Sequence, residues 1–493
     1  MNRLTPDSLA RSGRELALDR AQMTPGIVHL GSGGFFRAHV AAVTEDAMAA
    51  TDDLSWGIIA VTQRSADVAE QLNPQCGLFT VTERQPDESS TRVVSSVLSV
   101  IDGHGSPGAI VDAIADRRIS VVTLTITEKG YRFDARSGRL DLDDPAVQAD
   151  LSAEGGPERR SPTTAVGQIA AGLRRRFRGG AGAITVVSCD NLPANGRLTQ
   201  TLVRDFLAAA PDDDDDELAV WIDTNVRFPS TMVDRMVPAT SPDDLDEVER
   251  FLGLRDEGAV VAEPFWQWVV EDDFAGSRPP WERVGVQFTD DVAPWEKAKL
   301  RLLNAAHSLL AYLGLLAGYE TIAETVADPA FERIAARMIA DEALPSLTLP
   351  RGFDGPAYCG SVLRRFANPA LGHSCAKVAS DGSQKLGIRI LPTMRDALAR
   401  GEIPTASALA VASWMHRVAT TPVARLDDPA AAELVELAAG HEAPDEVVSE
   451  LLTYSRVFDA KFAANPAAVG AIVDWYVLIA AEGSDGLKRK LLS

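Results

Sequence analysis

The sequence predicts an α/β protein: a doubly wound domain built on a parallel sheet, followed by a mostly α-helical domain. Three observations predict it. Short, fully apolar runs alternate with helical patterns through the first half, and a glycine-rich turn follows the first of them. From about Pro294 onward, long segments rich in Ala, Leu and Glu recur at helical spacing and strand-like runs become few. Apolar strands separated by helices are the pattern of a parallel sheet covered on both faces.

The elements follow in order. Residues 1–24 read as a polar N-terminal extension, 25–289 as the sheet domain and 290–493 as the helical domain. Residues 26–30 (GIVHL) form the first strand, 38–50 a helix and 56–62 (WGIIAVT) the second strand; 119–126, 183–188 and 218–224 (LAVWIDT) are further strands. The polar stretch from Ser152 to Thr164 and the acid run Asp212 to Asp216 read as solvated loops. Helical spacing marks 296–317, 319–342, 404–417 and 430–439. The later amphipathic segments 446–454 and 466–481 are assigned packing and no chemistry.

Bulk properties narrow the function. A chain of 493 residues exceeds one ordinary core and implies two or three domains. Its composition, 46% hydrophobic and 24% charged, is that of a soluble globular enzyme. A net charge of -22 argues against nucleic acid and anionic membranes as partners, though a few local cations can still hold an anionic small molecule. No run of about 18 apolar residues is evident, so no membrane span is expected. The N-terminus carries no signal-peptide core. Cys76, Cys189, Cys359 and Cys375 are scattered and form no C-x-x-C pair, as reduced thiols of a cytoplasmic protein would be. A monomer or small homo-oligomer is expected.

The first strand runs into Gly31-Ser32-Gly33-Gly34-Phe35-Phe36-Arg37. Strand, glycine turn and helix together cradle the pyrophosphate of a dinucleotide: glycine lets the backbone approach, and the helix N-terminus faces the negative charge. Phe36 stands where G-x-G-x-x-G has its third glycine, so the motif by itself also fits a plain tight turn. Its place after the first strand of a doubly wound sheet favours a Rossmann-type dinucleotide site, with Gly31, Gly33, Gly34 and Phe35 at the cofactor and Arg37 as a cation near the phosphates. The second strand ends in Thr62-Gln63-Arg64-Ser65, with Asp67 beyond. Arg64 and Ser65 would accept a 2′-phosphate and Asp67 a ribose hydroxyl, so NAD is expected and NADP stays open.

The helical half begins with Trp295-Glu296-Lys297-Ala298-Lys299-Leu300-Arg301-Leu302-Leu303-Asn304-Ala305-Ala306-His307. At about 100° per residue, Glu296, Lys299, Asn304 and His307 fall within an arc of roughly 140°. Alcohol oxidation needs a base for the hydroxyl proton and donors for the developing alkoxide. Lysine serves as that base only where burial or neighbouring cations lower its pKa. The alternative is a charged helix face in water with one packed histidine. Two other dehydrogenase chemistries lack their residues: no Cys/His cluster has zinc-ligand spacing, and no tyrosine is followed four residues on by lysine.

The strings GSGGFFRAH, TLTITEKGY, SCDNLPANG, FPSTMVDRMVPAT and KLRLLNAAHS resemble the long-chain polyol dehydrogenases, the family of mannitol 2-dehydrogenase, fructuronate reductase and tagaturonate reductase. The resemblance runs from about residue 25 to 400, with all five motifs in order. It implies a metal-independent, NAD(P)-dependent oxidoreductase with Lys299 as general base, Asn191 and Asn304 holding the oxyanion, His307 placing substrate and Glu296 helping the proton leave. It further implies that Asp234 touches substrate or nicotinamide, that Arg235 is structural, and that Lys385 of Asp381-Gly382-Ser383-Gln384-Lys385 binds substrate hydroxyls. Lys377 stands where mannitol dehydrogenases tend to carry arginine, which loses the planar fork.

The first expectation is therefore interconversion of D-mannitol and D-fructose. Reduction of fructuronate or tagaturonate is the alternative, for which Lys377 or His373 would supply a cation to the carboxylate. A catalytically silent sugar or nucleotide sensor is the competing class. Its signature would be loss of the base or an oxyanion residue, yet Lys299, Asn191, Asn304 and His307 are all present.

Overall fold

The computed structural model describes residues 2–154, 160–441 and 443–493, and the chain divides into two compact units, Met1–Ala293 and Pro294–Ser493. The first is built on a six-stranded sheet of β1 (Pro25–Leu30), β2 (Gly57–Thr62), β3 (Val97–Asp102), β4 (Val121–Leu124), β5 (Ile184–Ser188) and β6 (Val226–Arg227). Its order is β3-β2-β1-β4-β5-β6, and every neighbouring pair is parallel. This is the strand order of a dinucleotide-binding sheet, which reverses direction between β1 and β4 and opens a crevice at their C-terminal ends. Two apolar cores cover it, one holding Ile27, Phe36, Ile58 and Val121, the other Val28, Leu30, Val122, Ile169 and Phe206. Such two-sided burial is why these strands read as unbroken apolar runs.

One expected strand is a helix. Residues 218–224 lie inside the helix Asp215–Asn225, and the sixth strand is the two-residue β6 that follows. Leu218 and Ile222, four apart, are buried while Val220 is 68% exposed, a helical stripe rather than the alternation of a strand. The preceding acids explain the start: Asp215, Asp216 and Glu217 occupy the first turn, where the helix dipole favours negative charge. The acid run is thus partly helical rather than a loop. Of the polar stretch after Ser152, the helix Pro145–Glu154 covers the beginning, and residues 155–159 lie outside the described residues.

Smaller sheets went unread in the sequence. Phe79–Arg84 pairs antiparallel with Ser89–Val94 and parallel with Val260–Ala262; Thr231–Asp234 pairs antiparallel with Gln267–Glu271, which runs parallel to Gln287–Thr289. The extension is also folded in. Its helix Pro6–Arg11 has a reciprocal cap between Thr5 and Ser8, and Leu4 and Leu9 pack on Leu78, Val248, Leu252, Leu254 and Ala259.

The second unit is helical. Ala293–Ala298, Lys299–Asn304 and Ala305–Ala317 follow one another as a single helix whose central turn is widened to π geometry. The helical pattern at 319–342 resolves into Ile322–Ala327, Pro329–Arg337 and a second widened turn, Met338–Ala343; Asp328 ends one helix and caps the next, with Pro329 at its first position. Glu342, in that turn, accepts from the backbone N–H of Ala406 (2.7 Å) and Ser407 (2.8 Å), capping the buried helix Thr405–Thr420. Two helices, Ala293–Ala317 and Pro466–Leu492, are long and apolar enough by length and composition to cross a membrane; the first is mostly buried, as a core helix is.

Candidate active site

In the first unit the glycine turn sits at the C-terminal end of β1. Gly31 has φ +99°, and a Cβ there would lie 2.1 Å from the Thr125 carbonyl, so only glycine fits. His29 pins this edge: it is hydrogen-bonded to Thr123 Oγ1 (2.7 Å) and Thr125 Oγ1 (2.8 Å), and its ring stacks on Phe36 at 3.8 Å. That stacking explains the aromatic in place of a third glycine. Gly33 caps the helix that begins at Gly34 without a side-chain bond, so the helix N-terminus suits an anion. Gly33 is exposed and a Cβ there would meet open space. The residues fit a dinucleotide pyrophosphate.

Arg37 corrects the sequence expectation. The turn Arg37–Ala41 is widened, Arg37 is only 8% exposed, and its guanidinium donates to the carbonyls of Gly258 (2.5 Å) and Gly33 (3.4 Å). It braces the glycine turn from within, where burial lowers its pKa to about 10. After β2, Arg64 and Asp67 are exposed; Arg64 donates to Thr127 Oγ1 (3.2 Å) and the Ser65 hydroxyl to Asp67 (2.9 Å).

The motifs after β4 and β5 form one braced platform. Thr127 holds φ +64°, unusual for a β-branched residue. Asp190 secures it, accepting from the backbone N–H of Ile126 (3.0 Å) and Thr127 (2.9 Å) and from the Tyr131 hydroxyl (2.8 Å). Asn195 donates to the carbonyls of Asp190 (2.9 Å) and Thr231 (3.1 Å) and accepts from Thr231 N–H (2.9 Å), which ties in the strand ending at Asp234. Asn191 lies exposed on the platform, and Asp234 is buried. Arg235 is buried, donating to the carbonyls of Glu263 and Ala38 and pairing with Glu83 at 2.5 Å, as a structural residue does.

The second unit carries Glu296, Lys299, Asn304 and His307 on one helix, with Lys299 opening the widened turn and Asn304 closing it. Bonding there runs i→i+5, the Ala305 N–H reaching the Leu300 carbonyl, so the turn re-phases Asn304 and His307 relative to an ideal helix. Such turns are frequent at functional sites. Lys299 is 7% exposed, which removes the alternative of a charged face in water.

His307 stacks on Phe366 (4.8 Å) and faces His373 (5.6 Å), and its Nε2 is buried with no hydrogen-bond partner. Burial holds its pKa well below the ordinary histidine value, followed by the charges of His373, Arg389, Arg365 and Lys385. Lys385 is half-buried, donates to the Ser380 carbonyl (2.6 Å), and has its pKa lowered to about 8 by burial first and Arg389 second. Lys377 is exposed on the short helix Cys375–Val378; burial first, then Arg365 and then Lys377 lower the pKa of His373. Neither Arg365 nor Arg389 belongs to a motif in the sequence. Arg389 had a local signal, lying four residues after Lys385 and so on the same helix face; Arg365 had none. Among the described residues, no group of three or more His, Cys, Asp or Glu could hold a metal ion.

Residues 25–283 match the model of the mannitol dehydrogenase Rossmann domain, and residues 291–479 that of the mannitol dehydrogenase C-terminal domain. The chain belongs to the mannitol dehydrogenase family. It is 39% identical over 475 residues to D-mannonate oxidoreductase of Escherichia coli, covering 94% of this chain and 95% of that protein. It is 37% identical over 408 residues to mannitol 2-dehydrogenase of Cereibacter sphaeroides, covering 82% and 83%. Among solved structures it is similar to Pseudomonas fluorescens mannitol 2-dehydrogenase in a ternary complex with NAD and D-mannitol, with a TM-score of 0.84, 34% identity and 99% coverage of both chains. The family and the fold are those that the five motifs implied.

Proposed function

We propose that this chain is a metal-independent, nicotinamide-dependent dehydrogenase that interconverts the secondary alcohol of a sugar acid and the corresponding ketone. One observation carries the choice of an acid. The unpartnered Nε2 of His307 lies among Arg365, Arg389, Lys385 and His373, and Arg389 is half-buried with its own buried Nε unpartnered. Among the described residues, no carboxylate forms an ion pair with Arg389. Asp381 acts on Arg389 without forming a direct ion pair with it, so a substrate carboxylate would supply a closer counter-charge to the guanidinium. The likeness to D-mannonate oxidoreductase over nearly the whole chain supports the same choice.

The glycine turn and the helix beginning at Gly34 would hold the dinucleotide, which supplies the hydride acceptor for alcohol oxidation. NAD is proposed on the Asp67 carboxylate, which accepts from Ser65 beyond β2 and suits a ribose hydroxyl; Arg64 beside it keeps NADP as the alternative. Lys299 takes the hydroxyl proton as the base, and Glu296 helps it on toward solvent. The amides of Asn304 and Asn191 steady the oxygen as negative charge develops, and His307, neutral, places it. Asp234 contacts the substrate or the nicotinamide, and Lys385 and Lys377 bind the substrate. A cytoplasmic enzyme, monomeric or a small homo-oligomer, fits this role.

Interconversion of D-mannitol and D-fructose, the first expectation from the sequence, is the second reading; it is favoured by the likeness to the solved mannitol 2-dehydrogenase complex. A panel of fructuronate, tagaturonate and fructose, assayed as NADH and NADPH oxidation, separates the two. The acid reading expects kcat/KM higher for one of the uronates by about tenfold or more, a difference of roughly 1.4 kcal/mol in transition-state binding. Preference for fructose selects the polyol reading, and inactivity with all three removes both.

A further inference from the structure

The contacts around the widened turn Lys299–Asn304 do more than gather charge. Arg389 ends the helix Gly382–Arg389, one turn after Lys385. Its Nη1 donates to the Asn304 carbonyl (3.4 Å) and to the Ser308 hydroxyl (3.1 Å). That hydroxyl donates in turn to the same Asn304 carbonyl, at 3.1 Å. Three groups therefore close a small triangle at the residue where the π turn Lys299–Asn304 returns to α geometry.

The placement matters because i→i+5 bonding interrupts the regular ladder, and carbonyls at such a junction need partners outside it. A second brace grips the turn through Arg301, whose Nη1 donates to the Ser346 carbonyl (3.1 Å) and hydroxyl (2.9 Å) and to Asp396 (2.5 Å). Arg301 ties the turn to the segment after Met338–Ala343 and to Leu391–Ala399. Among the described residues, the side chains of Arg389 and Ser308 both donate to the carbonyl of Asn304 itself.

We propose that Arg389 and Ser308 are positioning residues that hold the widened turn in the register presenting the Asn304 amide to the reacting oxygen. The proposal rests on the oxyanion role assigned to Asn304 above. Its chemical logic is geometric: a donor that stabilises developing charge must be held in place before the reaction, and a displacement of about 1 Å can cost on the order of 10²-fold in rate. Ser308 is buried, so its hydroxyl has little else to serve.

The test compares Ser308→Ala, Arg389→Lys, Arg389→Ala and Asn304→Ala in the full-length enzyme, reading kcat at saturating substrate. Saturation is required because losing the Arg389 charge also weakens binding of an acid. Ser308→Ala and Arg389→Lys are expected to lower kcat by about tenfold or more, with unfolding midpoints near wild type and, for Ser308→Ala, an unmoved KM. Added guanidinium ion should restore part of the kcat of Arg389→Ala, which a merely structural residue would not show. Asn304→Ala is expected to lose about 10²–10³-fold. Wild-type kcat in both Ser308→Ala and Arg389→Lys, beside a crippled Asn304→Ala, overturns the bracing while leaving the oxyanion role intact. Wild-type kcat in Asn304→Ala overturns that role, and the bracing proposal with it.

Discussion

Each unit contains a helix that widens to i→i+5 bonding around a basic side chain, and the braces of the two turns come from different places. In Arg37–Ala41 the turn's own arginine faces inward and serves the carbonyls of Gly258 and Gly33. In Lys299–Asn304 the bracing comes from outside the lysine, through Arg301, Ser308 and Arg389. The same backbone distortion thus builds a scaffold in one place and, on the reading proposed above, presents chemistry in the other. A cation's role follows from what it is bonded to, which spacing along a helix does not reveal.

The comparison breaks most visibly at Lys299. Lys299→Ala is expected to cut turnover by about 10²–10⁴-fold, the range for loss of a general acid or base, while a fluorescence titration still shows NADH binding. Turnover within a few-fold of wild type would make the two turns equivalent. Arg37→Met probes the other side: leaving a buried carbonyl unpaired should cost about 1–3 kcal/mol in denaturant unfolding, with kcat at saturating cofactor little changed. Weakened cofactor binding at unchanged stability would return Arg37 to the phosphates.

The smallest effect is in pH. Lys385 is charged below a pKa of about 8 and neutral above it, because burial and then Arg389 disfavour the ammonium. KM for a sugar acid should therefore rise severalfold as pH increases through that value, and KM for a neutral polyol less. A flat acid profile would remove Lys385 from the anion-binding group.

Much of the fold was legible because its main strands are buried on both faces and read as plain apolar runs. The smaller strands escaped notice since FTVTER mixes polar with apolar residues and SSTRVV opens with four polar ones, so both lack that signature. LAVWIDT misled for the opposite reason: Ala219 and Val220 on the exposed side of a helix, next to the partly buried Trp221, imitate a buried strand. Local motifs pointed to Gly31, Asn191, Lys299, Asn304 and His307 as candidates. Periodicity assumed 100° per residue and so could not show the widened turn. Nor could it gather Arg365, His373 and Arg389 around His307, because three separate segments supply them. Arg37 was legible as a cation but not as a brace, since its main partner, Gly258, lies 221 residues away.

The docked N-terminal helix sets a practical boundary. The family's Rossmann match begins at residue 25, yet Leu4 and Leu9 are almost completely enclosed against Leu78, Val248 and Leu252. A chain trimmed to the matched region would leave that greasy seat bare to water, inviting aggregation unrelated to catalysis. The part that must be kept to study this unit alone is therefore longer than the stretch that the Rossmann-domain model matches.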